Sequence, residues 1–290
     1  MASSCYYFKD VSSEFKKIDK NVGVENGGNV EYVRELIFNY CPYNSIYKSA
    51  YCNNYFEKAN SGVIYFLETL KEKFDSKYDK LAEYAILLLC YKLNEHSEHI
   101  YKSANLNKFY TDHIEKNKYY NNKINENGPS YKDIIDKKKD LMNMNIKEIL
   151  KFYEALKTLC NMYDDCNKTT LDCNNCSENA KTFANQFKEL NKDSKNIDNI
   201  SYSQMLSTLS NDYDNLKYIY DNNKCPNSPP LPMIKTPSSK FLPALSTFSV
   251  IPVFLGVAYK YSLFGIDKLF QRQYIRKKLN KLKKKMKLNI

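Results

Sequence analysis

Nine cysteines and three histidines are the residues of this chain best equipped for chemistry. Cys160, Cys166, Cys173 and Cys176 lie within one short stretch. Four thiolates so grouped could close a tetrahedral zinc site. Their spacing lacks the paired CxxC…CxxC pattern, so zinc is the weaker reading and disulfides the stronger. Cys173 and Cys176 also form a CxxC, but a redox motif needs a strand–helix setting that the flanking residues do not provide. His96 and His99 stand three apart and could share a helix face as metal ligands. Solvated histidines at a helix end are the stronger reading. His113 is the only other histidine. No HExxH, P-loop, GxGxxG or GxSxG is present, so neither a cofactor nor an enzymatic function is expected.

The disulfide candidates are Cys5, Cys41, Cys52, Cys160, Cys166, Cys173, Cys176 and Cys225. Cys90 lies within an apolar helix and reads as a free buried thiol. Eight cysteines allow 105 pairings, so connectivity stays open, with Cys41–Cys52 and a knot among Cys160 to Cys176 suggested by proximity alone. All nine precede residue 241, which suits an oxidising, non-cytosolic environment. The Asn-X-Ser/Thr triplets at Asn167, Asn175 and Asn199 carry little weight in so Asn-rich a chain.

The elements that must hold these residues read as helices. The chain has 290 residues, with 43% hydrophobic and 27% charged. That is long enough for a real core and too apolar for wholesale disorder. Seven glycines and nine prolines are too few for a β-sandwich or barrel. Twenty-six Tyr and no Trp, with many Asn and Lys, point to an A/T-rich genome before they point to chemistry. Helices are expected over Val30–Tyr40, Ser61–Phe74, Leu81–Leu93, Ile146–Tyr163, Ala180–Leu190 and Tyr202–Tyr220. Leu81–Leu93 is nearly continuously apolar at its centre and should be buried on most sides. Ile146, Ile149, Leu150, Tyr153, Leu156, Cys160 and Tyr163 mark a 3.6-residue period. Ser130 with Asp133, Asn145 with Glu148, and Ser201 with Gln204 have the spacing of N-terminal capping pairs. No alternating run is long enough to demand a sheet.

The fold class is therefore all-α: a helical ectodomain with disulfides over residues 1–223, followed by three further segments. Residues 224–240 hold five of the nine prolines and read as a proline-rich stalk. Residues 241–259, from Phe241 to Tyr259, are nineteen residues without a charge. As a helix they would span roughly 28 Å, close to a hydrocarbon core of about 30 Å. Pro252 is tolerated in a membrane helix, while Tyr259 and Lys260 suit its interface. Residues 260–290 form a basic tail.

That tail accounts for the charge. Of the net +11, eleven basic residues and one acidic residue (Asp267) follow residue 259, leaving 33 against 32 before it. Arg272, Arg276, Lys277, Lys278, Lys281, Lys283, Lys284 and Lys285 form a basic array. Ile275, Leu279, Leu282 and Met286 set an apolar stripe beside it. Such a helix would bind anionic lipid headgroups, each cation worth about 1 kcal/mol near the surface. The positive-inside rule then leaves the tail cytosolic and the helical domain on the far side. Nucleic acid is not an expected partner, because the basicity does not cover a folded face. Residues 1–10 lack the apolar core of a cleaved leader.

Phe254–Gly265 and Gln271–Leu279 closely resemble the C-terminal end of the Plasmodium interspersed repeat (PIR) proteins, in their rodent-parasite form. Tyr131–Lys139, with Leu141, Met142 and Asn143, and Ser201–Leu209 are similar to the same family. The resemblance runs from about residue 30 to the end. It implies a helical cysteine-containing domain, a variable stalk, one membrane span and a short basic tail. It also implies export toward the surface of the infected red cell or to parasite vacuolar and internal membranes. Antigenic variation, immune evasion and contact with an unknown host protein or cell-surface ligand would be the functions. One departure is Val63, where the family often carries Cys; a thiol left unpartnered would fit the odd count. The rival expectation is a structural or remodelling protein of internal parasite-made membranes, acting through its lipid-binding tail.

Overall fold

The computed structural model describes residues 3–28, 30–74, 77–167, 173–192, 199–223 and 230–234, with some side chains near the ends of these stretches outside the description. The chain divides between Pro237 and Ser238. The expected span, Phe241 to Tyr259, and the basic tail from Lys260 to Ile290 lie outside the described residues. Among those that are described, no helix is long and apolar enough to cross a membrane.

The first unit is mostly helical. Helix α1 (Ser3–Asn21) leads into a hairpin of β1 (Val22–Glu25) and β2 (Val30–Val33), and then the short α2 (Glu35–Phe38). A second hairpin, β3 (Tyr43–Asn44) and β4 (Ser49–Ala50), precedes α3 (Tyr55–Leu70) and α4 (Tyr78–Glu95). Three short helices follow: α5 (His99–Lys102), α6 (Leu106–Phe109) and, after a π-helical turn at Tyr110–Ile114, α7 (Tyr131–Asp136). Long helices α8 (Ile146–Asn167), α9 (Cys173–Asn191) and α10 (Ile200–Asn223) complete the unit.

Helix α4 is the hub, packing on α3, α7 and α8. Leu81 to Cys90 are buried without interruption, as the apolar run requires. Tyr91 stacks on Tyr153 of α8 with centroids 4.1 Å apart and planes 9° apart. On α1, Phe8, Val11, Phe15 and Ile18 are buried at helical spacing, and the helix packs on α3, α8 and α10. Helices α9 and α10 meet where Phe183 stacks on Tyr213, centroids 4.9 Å apart.

Two carboxylates are satisfied inside this core, Glu83 on α4 and Asp212 on α10. The Glu83 carboxylate accepts from Lys138 Nζ at 2.6 Å and from Thr208 Oγ1 at 2.7 Å. Lys138 also donates to Gln204. One turn away, Asp212 accepts from Lys80 at 3.1 Å and from the Tyr84 hydroxyl. Burial pushes the Glu83 carboxyl up, against the pull of Lys138.

The structure corrects several of the sequence readings, and α9 starts early, at Cys173 and not Ala180. Val30–Tyr40 is not one helix, because Val30–Val33 pairs antiparallel with Val22–Glu25. Asn26 and Gly27 reverse the chain there, with φ of 51° and 69°, a left-handed pair that Asn-Gly adopts cheaply. Helix α3 begins six residues before the expected Ser61, because Asn54 caps it by accepting from Glu57 N at 3.0 Å. Ser201 is not the N-cap of α10; Asn199 accepts from Tyr202 N at 2.9 Å, and Ser201 instead donates to Asp140. Finally, the proline-rich segment is not wholly a free stalk. Leu231 is buried in the core, Ile234 packs against it, and the Tyr213 hydroxyl donates to Pro232 O at 2.8 Å. Two of the capping pairs do form: Ser130 and Asp133 make a reciprocal capping box, and Asn145 accepts from Lys147 N while its own N–H points to Glu148.

Candidate functional site

The β3–β4 hairpin is built to stand out from the helices. Cys41 and Cys52 are joined by a disulfide, with Cα atoms 5.0 Å apart, and both are buried. Tyr51 N donates to Pro42 O at 2.9 Å beside that bond. At the tip, Asn44 Oδ1 accepts from Ile46 N at 2.9 Å and Tyr47 N at 3.3 Å, an Asx turn that closes without help from the helices. Lys48 completes it with a φ of 52°. The turn therefore presents apolar side chains outward: Tyr43 is 72% exposed, Ile46 82%, Tyr47 59% and Tyr51 38%. Tyr47 and Tyr51 brace each other, ring centroids 4.6 Å apart. Large apolar side chains gathered on one small rigid loop mark an interaction surface more often than chance exposure does.

Beside the hairpin lies a cleft of about 550 Å³, within the range typical of ligand sites. Pro42 and Tyr43 form one wall; the π-helical turn and the segment after it form the other. A π turn inserts an extra residue into the helix, which re-aims the side chains after it, and such turns recur at functional sites. Here it sets Asp112 and His113 on the cleft wall. Asp112 accepts from Lys108 and, at 3.0 Å, from Lys116; these bonds hold its carboxyl down at about 2. The His113 ring lies between Phe56 and Phe109, centroids 5.2 and 4.8 Å away. Desolvation pushes its pKa below the ordinary histidine value, so the ring is neutral at physiological pH. Asn60 fixes the floor, donating to His113 O at 3.2 Å and accepting from the Tyr120 hydroxyl at 2.7 Å. A second recess of about 240 Å³, lined by Phe56, Ile100, Ala104 and Phe109, adjoins Asp112 and His113 from the other side.

The residues weighed as the weaker, metal-binding alternative do not assemble among the described residues. His96 caps the end of α4 and His99 opens α5, so the two are not on one helix face. His96 Nε2 is 3.0 Å from Glu31 Oε1, and its Nδ1 accepts from Glu98 N at 3.0 Å. Both ring nitrogens are thus occupied within the protein. His99 pairs with Ser103 instead. Cys160, expected among bridging or zinc-binding thiols, is a free buried thiol that burial pushes up to about 12. It faces the core from α8 because it continues that helix's apolar stripe. Cys173 and Cys176 are disulfide-bonded and so hold no thiolate for zinc. Among the described residues no cluster of three metal-binding side chains occurs. Cys90 is a second free thiol, and burial raises its pKa. The side chains of Cys5, Cys166 and Cys225 lie outside the described residues. So do Phe241, Pro252, Tyr259 and Lys260 of the expected anchor, and Arg272, Arg276, Lys277, Lys278, Lys281, Lys283, Lys284 and Lys285 of the tail.

Sequence reasoning missed both the hairpin tip and the cleft. Tyr43, Tyr47 and Tyr51 recur every fourth residue between two cysteines eleven apart, a signal that was available. Nothing in the sequence announces the π turn.

A family model described as Plasmodium variant antigen protein Cir/Yir/Bir matches residues 5–260 of the chain. Among solved structures, the ectodomain of a Plasmodium PIR protein is similar, with a TM-score of 0.59 and 35% identity. That match covers 79% of this chain and 99% of the ectodomain. No curated protein matches.

Proposed function

This chain belongs to the Plasmodium Cir/Yir/Bir variant antigen family, and on that premise we propose that it is a membrane-anchored variant antigen whose helical unit meets host molecules. The observation that carries the reading is the reach of the family match. It extends to residue 260, past the helical unit and through the whole uncharged run from Phe241 to Tyr259. A run of that length and polarity fits one membrane span, and the basic residues behind it fit a cytosolic tail held to anionic lipid. The helical unit then faces away from that cytosol, where disulfides such as Cys41–Cys52 persist.

The mechanism is display. A closely packed helical core tolerates change on its outer face, because surface substitutions usually alter stability by under about 0.5 kcal/mol. The disulfide-closed hairpin supplies a rigid projecting surface for contact. Its anchor holds the unit at a membrane, of the infected red cell or of the parasite's vacuole, where such contact serves immune evasion. No catalytic step enters this reading.

Protease treatment of intact infected cells, with separate antibodies to the helical unit and to the tail, tests it. Loss of the helical-unit signal with survival of the tail is the expected result. Protection of both would keep the protein on internal membranes and replace display by remodelling through the basic tail.

A further inference from the structure

We propose that the cleft between the β3–β4 hairpin and the π-helical turn binds the terminal rings of a neutral glycan. This rests on the reading that the helical unit meets host molecules, but it is tested separately from where the protein resides.

The first argument is the charge balance. Two carboxylates and two lysines line the cleft, Glu57 and Asp112 against Lys116 and Lys118. Asp112 is already held by Lys108 and Lys116. Glu57 Oε2 accepts from Asn53 N at 2.6 Å and Asn53 Nδ2 at 3.0 Å. A cation would have to displace these bonds, and an anion would meet both carboxylates. A neutral ligand faces neither cost.

The second argument is the pattern of open groups. The ring nitrogens of His113 and the side chains of Lys118 and Asn122 make no hydrogen bond among the described residues, while all three residues line the cleft. A neutral imidazole offers one donor and one acceptor, an amide offers both, and an ammonium donates. Sugar hydroxyls each donate and accept, so they match a mixed set of this kind, whereas a carboxylate or phosphate uses donors alone. The third argument is the apolar wall. Tyr43 stands exposed at the rim, and Tyr119 is fixed by its hydroxyl donating to Asn39 O at 2.7 Å. A pyranose has one face of C–H groups, which packs on aromatic rings while its hydroxyl rim reaches polar side chains.

A single sugar site is weak, so the probe must be multivalent. The full-length chain, purified in detergent and immobilised, is exposed to albumin carrying lactose, N-acetyllactosamine or 3′-sialyllactose. Binding of at least one neutral conjugate is expected, weakened tenfold or more by Tyr43→Ala and by Asn122→Ala. Both residues are exposed, so neither change threatens folding, and exposed Lys157→Ala on α8 should leave binding unchanged. Binding of no conjugate, binding of the sialylated one alone, or binding that survives both cleft variants would overturn the proposal. None of these results depends on the membrane the protein reaches, so the display reading stands or falls by the protease experiment alone.

Discussion

Lys138 and Glu83 form an ion pair of 2.6 Å with neither side chain reaching solvent. They come from α4 and the turn after α7, so the pair ties the central helix to the chain that wraps it. Removing one partner of such a pair strands the other in the core, at a typical cost of about 3–5 kcal/mol. Lys138→Met should cost about that much in urea denaturation at pH 7.5. The loss should shrink at pH 4.5. Without its cation the buried Glu83 carboxyl is raised further above its unfolded value of about 4.3. A raised group contributes stability at low pH and loses it as pH rises through the folded pKa. An equal loss at both pH values would mean that the Glu83 charge is not what matters.

The hairpin disulfide should stabilise by restricting the unfolded chain. For a loop of this size the expected contribution is about 2–3 kcal/mol. Replacing Cys41 and Cys52 by Ser should lower the melting temperature and admit protease between residues 42 and 51. Retained resistance there would show that the Asx turn at Asn44 holds the tip without the bond.

Asp112 should titrate at about 2, because Lys108 and Lys116 both donate to it. Its depressed pKa contributes stability above the unfolded value, lost as pH falls toward 2. Carboxyl NMR of Lys116→Ala should show the midpoint rising toward the ordinary aspartate value of about 3.9. An unmoved midpoint would remove Lys116 from the cleft's charge balance.

Leu231 should behave as a core residue although it lies among prolines. Burying a Leu typically contributes about 2 kcal/mol or more against Ala. Leu231→Ala should therefore lower the unfolding free energy in urea denaturation by about that much. Tyr213→Phe, which removes the donor to Pro232 O, should act in the same direction. Unchanged stability in both would return this segment to a free stalk.

Much of the helical framework was legible because its signals are local. The stripe from Ile146 to Tyr163 and the apolar run from Tyr84 to Tyr91 each mark a buried helix by themselves. Ser130 and Asp133 satisfy one another's backbone groups within four residues. The first hairpin was legible too, from Val22 and Val24, Asn26-Gly27-Gly28, then Val30 and Val33, but a helical expectation over Val30–Tyr40 overrode it. At the candidate site the tyrosines between Cys41 and Cys52 were visible as residues and not as a surface. Nothing local says that a tyrosine faces outward.

Sequence alone determined the helical class, the family, the uncharged run at 241–259 and the concentration of charge behind it. The helical class, the uncharged run and the charge behind it are sums or periods over neighbouring residues, while the family is carried by resemblance of whole stretches such as Phe254–Gly265 and Ser201–Leu209; neither needs residues brought together by folding. Tertiary structure decided the rest. Whether Cys160 is bridged or free, whether Lys138 meets Glu83, and whether Leu231 leaves the core or joins it depend on residues that approach only when the helices pack. The cleft is the extreme case, since Tyr43 stands far in sequence from His113 and Asn122. The energy of a contact is set by distance in space and by exclusion of water, and neither is a property of spacing along the chain.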